Sequence, residues 1–378
     1  MPRRHAPLPS TLSTPFAYAE ARAMGVTAGR LRGSDLERPF HATRILPDPA
    51  TRSAFAGPQA IDARVRARVL ERARAYSRVM SRRGFFTGMT AAALLGCPLP
   101  DGFDPDADLS VGTVHPHRAA RARGVAGFQT REHLAHVMDV GGLRVTTPAS
   151  TWAMVGGELS ERWLVIMGDH FVRVPRDHRG RAMPNARLAT PAQLEAAALA
   201  PGRRHRKALV RALTSVRVGS ASRLETEYRL DAEAARLPHM DLDVEVRGAD
   251  GALIAIVDGM HRAFDLIVEV EGDHHRTDRA QWNRDIDRTA ALAAQGWSFA
   301  SPHDAFETGA RRRWFEAPST AMDGRDRGAT NSVAPRTATR RHLWEGGSVR
   351  AWLIRFVTLY VFDVAVLLLI GLIMPQVS

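Results

Sequence analysis

The sequence predicts an α/β (α+β) protein whose last folded part is a mixed sheet flanked by helices. Three observations predict it. Between residues 65 and 200, short apolar runs bounded by glycine and proline alternate with helical periods. Residues 222–296 then read as helix, three strands and helix, with a further strand starting at Trp297. The composition, 45% hydrophobic and 24% charged over 378 residues, is that of a folded chain with room for a buried core.

Taken in order, Ser13 to Met24 reads as a helix stopped by Gly25, followed by a second helix near Thr27–Leu36 and a strand around Phe40–Ile45. That succession fits a reduced winged-helix unit over residues 10–50, and equally any small helical hairpin. The segment RRGFFTGMTAAALLGCPLP carries an apolar run, strand or helix, closed by Pro98 and Pro100. DADLSVGTV and GLRVTTPAS are expected as strands and SERWLVIMGDHFV as a buried helix. Together they make an α/β region over 65–200. The basic run PGRRHRKALVRAL, a solvated helix face or a phosphate contact, leads into a last folded domain over 205–301.

Residues 302–350 mix Pro, Gly, Ser, Thr and charge and are expected as a flexible linker. Residues 351–378 form an apolar helix in which Phe356 to Met374 is long enough to span a bilayer, with Arg340, Arg341, Arg350 and Arg355 before it. Its single charge, Asp363, costs about 2.5–3.5 kcal/mol near a bilayer centre. The segment is an anchor at the inner face of the membrane, a helix buried on the body, or a tail of accidental coding origin. No apolar run follows the basic start, and one cysteine, Cys97, excludes an internal disulfide or a cysteine zinc site. A cytoplasmic setting is expected.

The net charge of +12 rests on arginine, since Lys207 is the only lysine. Guanidinium groups fork onto phosphate oxygens. Arginine-for-lysine use can also reflect the base composition of a genome.

The chemistry concentrates in the last domain. Leu224, Tyr228 and Ala232 mark one face of a helix ended by Pro238. LDVEVRG and GALIAIVDG are strands joined by a turn around Gly248–Gly251, and FDLIVEVEG is a third, ended by Gly272. A long helix follows, with Trp282, Ile286 and Ala290 on one face and Gly296 at its close. In the third strand Leu266, Val268 and Val270 point one way, and Ile267, Glu269 and Glu271 the other, which sets the two carboxylates about 7 Å apart. Asp258, closing the preceding strand, is expected beside them. Three converging acids repel one another unless a cation lies among them, and a hard, oxygen-seeking ion such as Mg²⁺ suits that set. Alternating Val and Glu is equally what a half-solvated strand shows.

The pieces SRLETEYRL, EVEGDHHRTDRAQWNRDIDR and LAAQGW resemble the family related to very-short-patch-repair endonucleases, within the PD-(D/E)XK nuclease superfamily. TAAALLGCPLP and GLRVTTPASTW resemble the N-terminal part of abortive-infection antitoxin proteins, so the likeness spans most of residues 10–300. It implies a Mg²⁺-dependent hydrolase cutting phosphodiester bonds of DNA. Glu225 is then the helix acid, Asp258 and Glu269 are metal ligands with Glu271 beside them, and Glu271 stands where the superfamily's signature lysine would. His274 or His275 then supplies the missing base, or belongs to a solvated turn. Arg276, Arg284 and Arg288 hold neighbouring phosphates, or pair with Asp278, Asp285 and Asp287. The sequence departs from the pattern at Val257-Asp258-Gly259 and in the Ser-Phe-Ala-Ser-Pro that follows Trp297. Three functions therefore compete: an active endonuclease, a DNA-binding regulator of toxin–antitoxin type with weak or no turnover, and a membrane-tethered adaptor.

Overall fold

The computed structural model describes residues 5–47, 59–270 and 279–300. At the N-terminus β1 (Phe16–Ala17) leads into α1 (Tyr18–Ala23), and β2 (Thr43–Arg44) pairs antiparallel with β1. Phe16, Ala21, Leu31 and Leu36 form a small core between them. The first expected helix is thus shorter than Ser13–Met24, because the chain enters it through a strand. The second, Thr27–Leu36, is only a three-residue 3-10 turn, Arg30–Arg32. Gly29 and Gly33 flank that turn, and glycine costs a helix about 1 kcal/mol each. Arg30 instead forks onto Asp35 at 2.9 and 2.7 Å. The recognition helix that a winged-helix unit needs is not formed here.

Next come α2 (Gln59–Ser77), β3 (Phe85–Phe86), α3 (Gly88–Leu94), β4 (Leu109–Val114), β5 (Val125–Thr130), β6 (Val137–Val140) and β7 (Leu143–Thr146). The strands make a mixed sheet in the order β5-β4-β3-β7-β6. The apolar run after Arg83 resolves into both alternatives: Phe85 and Phe86 are buried in β3, and Gly88 turns the chain at φ +53 into α3. Val69, Ala73 and Tyr76 of α2 pack on Phe86, Val111 and Val145 of the sheet. Several arginines of α2 serve the fold and leave less of the charge for a partner. Arg72, 5% exposed, donates to the carbonyls of Pro105 and Ala107 at 2.6 Å, and Arg68 bonds Glu37, Glu71 and Asp106.

A helical layer follows: α4 (Pro148–Met154), α5 (Glu161–Val172), α6 (Pro191–Leu199), α7 (Arg206–Ser215) and α8 (Arg223–Ala234). The expected buried helix is α5, capped by the Ser160 hydroxyl, which accepts from the Trp163 N–H at 3.4 Å. Trp152, Leu164, Phe171, Leu194, Leu209 and Ala212 share one core. Leu209 and Ala212 belong to α7, so the basic run is amphipathic and the expected boundary at 205 falls inside this layer. Asp169 of α5 and Arg229 of α8 meet at 2.8 Å and are 1% and 2% exposed. Asp169 also accepts from the Thr226 hydroxyl at 2.9 Å and the Arg217 N–H at 2.8 Å. The Arg162–Asp231 pair, at 2.7 Å, repeats the link between the two helices.

After α8 the order is as expected from the sequence: β8 (Asp241–Arg247), β9 (Leu253–His261), β10 (Leu266–Val268), α9 (Arg279–Ala294) and β11 (Ser298–Ala300). The sheet runs β11-β10-β9-β8; β8, β9 and β10 are antiparallel neighbours, and β11 lies parallel to β10. The Gly251 N–H donates to the Gly248 carbonyl at 2.9 Å and makes the expected turn. Arg176 covers the open edge of β8, donating to Asp243 at 2.7 Å and Glu245 at 3.0 Å. Val246, Val257, Met260, Ile267 and Leu292 form the core of this layer. Of the expected Trp282–Ile286–Ala290 stripe on α9, Ala290 is exposed, and the nearby Leu292 is buried.

Among the described residues no helix is long and apolar enough to cross a membrane. The linker at 302–350 and the apolar segment at 351–378 lie outside the described residues.

Candidate active site

Glu225, Asp258 and Glu269 come from three elements. Glu225 sits in the first turn of α8, where the Ser222 hydroxyl caps the helix by accepting the Glu225 N–H at 3.2 Å. Its carboxylate turns back and accepts the Ala221 N–H at 2.6 Å. That bond reaches one residue past the N-cap Ser222, so the glutamate ties the chain entering α8 to its first turn. Glu225 is also buried, at 6% exposed. Loss of solvent and then the charge of Asp258 push its pKa up to about 7, against the opposing pull of Ala221, Ser222 and Arg173. Two carboxylates therefore sense each other across α8 and β9.

Asp258 lies inside β9, three residues before its end, where the sequence places it at the strand's close. The register pairs Val268 with Gly259, so Asp258 faces the position of Glu269 one step on. β10 stops at Val268, short of both glutamates expected on it. The cause is local. The Asp258 carboxylate accepts the Val270 N–H at 2.8 Å, giving that donor a side-chain partner in place of a ladder bond. The same bond holds the segment carrying Glu269 against Asp258, at the carboxyl ends of the parallel pair β10 and β11, where ligands of α/β sheets gather.

Glu269 meets Arg288 of α9 at 3.6 Å, with side chains 19% and 32% exposed. Arg288 therefore turns toward the acids. Arg284 stands one helical turn earlier on α9. Glu271, His274, His275 and Arg276 lie outside the described residues.

Among the described residues no group of three or more His, Cys, Asp or Glu stands close enough to hold a metal ion. Asp258 is the hub, linked to Glu225 through space and to the Glu269 segment through a hydrogen bond. No family model, curated protein or solved structure matches the chain.

One participant escaped the sequence. Arg173 follows the last residue of α5 and donates to the Ala221 carbonyl at 3.2 Å, beside Glu225. Nothing in a single arginine after an apolar helix signals that placement. Tyr228, buried in the middle of α8, has its hydroxyl 3.4 Å from His261 Nε2, and His261 Nδ1 lies 3.0 Å from the Pro238 carbonyl. Burial holds the His261 imidazole below its usual pKa, which suits packing rather than proton exchange.

Proposed function

We propose that the protein is a Mg²⁺-dependent endonuclease hydrolysing phosphodiester bonds of DNA. The observation that carries this reading is the double tie of Asp258, which with burial raises Glu225 to about 7 and accepts the Val270 N–H beside Glu269. The donors are all carboxylate oxygens, and the mutual repulsion of Glu225 and Asp258 is what a divalent cation relieves. Asp258 and Glu269 would hold the ion, with Glu271 as a further ligand. When bound, Mg²⁺ supplies charge neutralisation at the scissile phosphate and lowers the pKa of a coordinated water. Glu225 can take up a proton near neutral pH, and that is the part of a general base. Arg288, Arg284 and Arg276 are the cations for neighbouring phosphates, with His274 or His275 as a second proton acceptor.

A plasmid-nicking assay with Mg²⁺ tests this. The full chain is expected to nick, and Glu269→Ala to lose at least a hundredfold. Equal nicking by that variant removes Glu269 from the chemistry.

The Arg288–Glu269 contact favours a second reading. A guanidinium already beside a ligand carboxylate suits a protein that binds DNA as a regulator of toxin–antitoxin type and turns over weakly. DNA binding with no nicking in either Mg²⁺ or Mn²⁺ would select it.

A further inference from the structure

We propose that Arg173 is the cation that holds a substrate phosphate against the Glu225 end of the acidic row, so that the α/β region before residue 205 supplies part of the site. The inference deepens the nuclease reading and rests on it for the identity of the ligand, a nucleic-acid phosphodiester.

The Arg173 guanidinium and the Glu225 carboxylate clasp one residue from two sides. Arg173 Nη1 donates to the Ala221 carbonyl at 3.2 Å, and the Ala221 N–H donates to Glu225 Oε2 at 2.6 Å. The bond to Ala221 uses one of the five N–H donors of Arg173, on a neutral carbonyl. Its charge is felt at Glu225, where it opposes burial. The row of acids then has an arginine at each end, Arg173 beside Glu225 and Arg288 beside Glu269. Lys207, the only lysine, lies on α7 and not on the elements that carry Glu225, Asp258 or Glu269. The placement is rigid. One helical turn before Arg173, Asp169 is locked to Arg229 and Thr226 of the helix that carries Glu225. An arginine whose backbone is held by the scaffold, and whose planar fork is pre-organised, loses less freedom per hydrogen bond when a phosphate arrives.

Arg173→Gln keeps a donor for the Ala221 carbonyl and removes the charge, and Arg173→Lys keeps the charge. Binding of a short duplex DNA to the full chain is measured with Ca²⁺ at several salt concentrations, beside nicking with Mg²⁺. One lost phosphate contact lowers the slope of log K against log salt by about 0.9 and affinity about tenfold near 0.1 M salt. The proposal expects both losses in Arg173→Gln and recovery of the slope in Arg173→Lys. If only the lysine variant folds, its slope must match that of the unmodified chain. Wild-type nicking with an unchanged slope in Arg173→Gln overturns the role of Arg173 and leaves the nuclease reading standing. The expected slope change without wild-type nicking supports Arg173 as a phosphate contact and overturns the nuclease reading. Absence of duplex binding by the wild-type chain overturns the proposal.

Discussion

Replacing Glu225 by glutamine isolates the electrostatic cost built into this site. Glu225 is 6% exposed, and burial together with Asp258 raises its pKa from 4.5 to about 7. That rise amounts to roughly 3 kcal/mol of preference for the protonated acid. Below pH 4.5 the group is protonated in the folded and unfolded chains alike, and it adds no pH dependence. Between 4.5 and about 7 the unfolded chain releases its proton while the folded one keeps it, so stability falls as pH rises. Above about 7 the loss is complete. Glu225→Gln cannot titrate, so its stability relative to the natural chain should climb by about 3 kcal/mol between pH 4.5 and pH 8. Asp169 and Glu158, also pushed up by burial, contribute equally to both proteins and cancel in the difference. Urea unfolding followed by tryptophan fluorescence at closely spaced pH values measures it. Parallel stability profiles for the two proteins would refute the burial and the proximity of Asp258 together.

Three further outcomes follow from particular contacts. Asp169→Ala leaves Arg229 buried with a charge and one fewer partner; breaking a buried pair this way costs about 3–5 kcal/mol, read as a lowered midpoint of chemical unfolding. Gly127→Ala places a methyl group on the backbone of Ala120, which crosses over β5, so thermal unfolding should shift downward by the equivalent of about 1–3 kcal/mol. Arg288→Ala removes a positive charge next to Glu269; divalent-ion binding should tighten about fivefold, the effect of ~1 kcal/mol of relieved repulsion, in a calorimetric titration.

The order of elements after Ser222 was legible because each strand is short, apolar on alternate positions and punctuated by glycine. Asp258 and Glu269 were legible as neighbours for the same reason, since a hairpin between β9 and β10 sets opposite residues side by side. The end of β10 was not legible. A carboxylate that captures the Val270 N–H is a side-chain event, and alternation of Val and Glu carries no trace of it. The N-terminal helix pair failed where Gly29 and Gly33 and the Arg30–Asp35 fork outweighed a weak helical period. The boundary at 205 failed because Leu209 and Ala212 pack sideways on α5 and α6, and a basic run hides that apolar stripe. Arg173 could not be found at all, since its relation to Glu225 exists only after α5 and α8 are locked together. The arginine excess divides: Arg68, Arg72 and Arg229 are committed to the fold, whereas Arg173 and Arg288 face the acids.

The most direct test of the central claim is a calorimetric titration of Mg²⁺ into the full chain and into Asp258→Asn, at pH 8 and low salt. Saturable binding to the natural chain and its loss in the variant are expected, because Asp258 joins Glu225 to the Glu269 segment. Equal heats and equal affinities in the two proteins would contradict it.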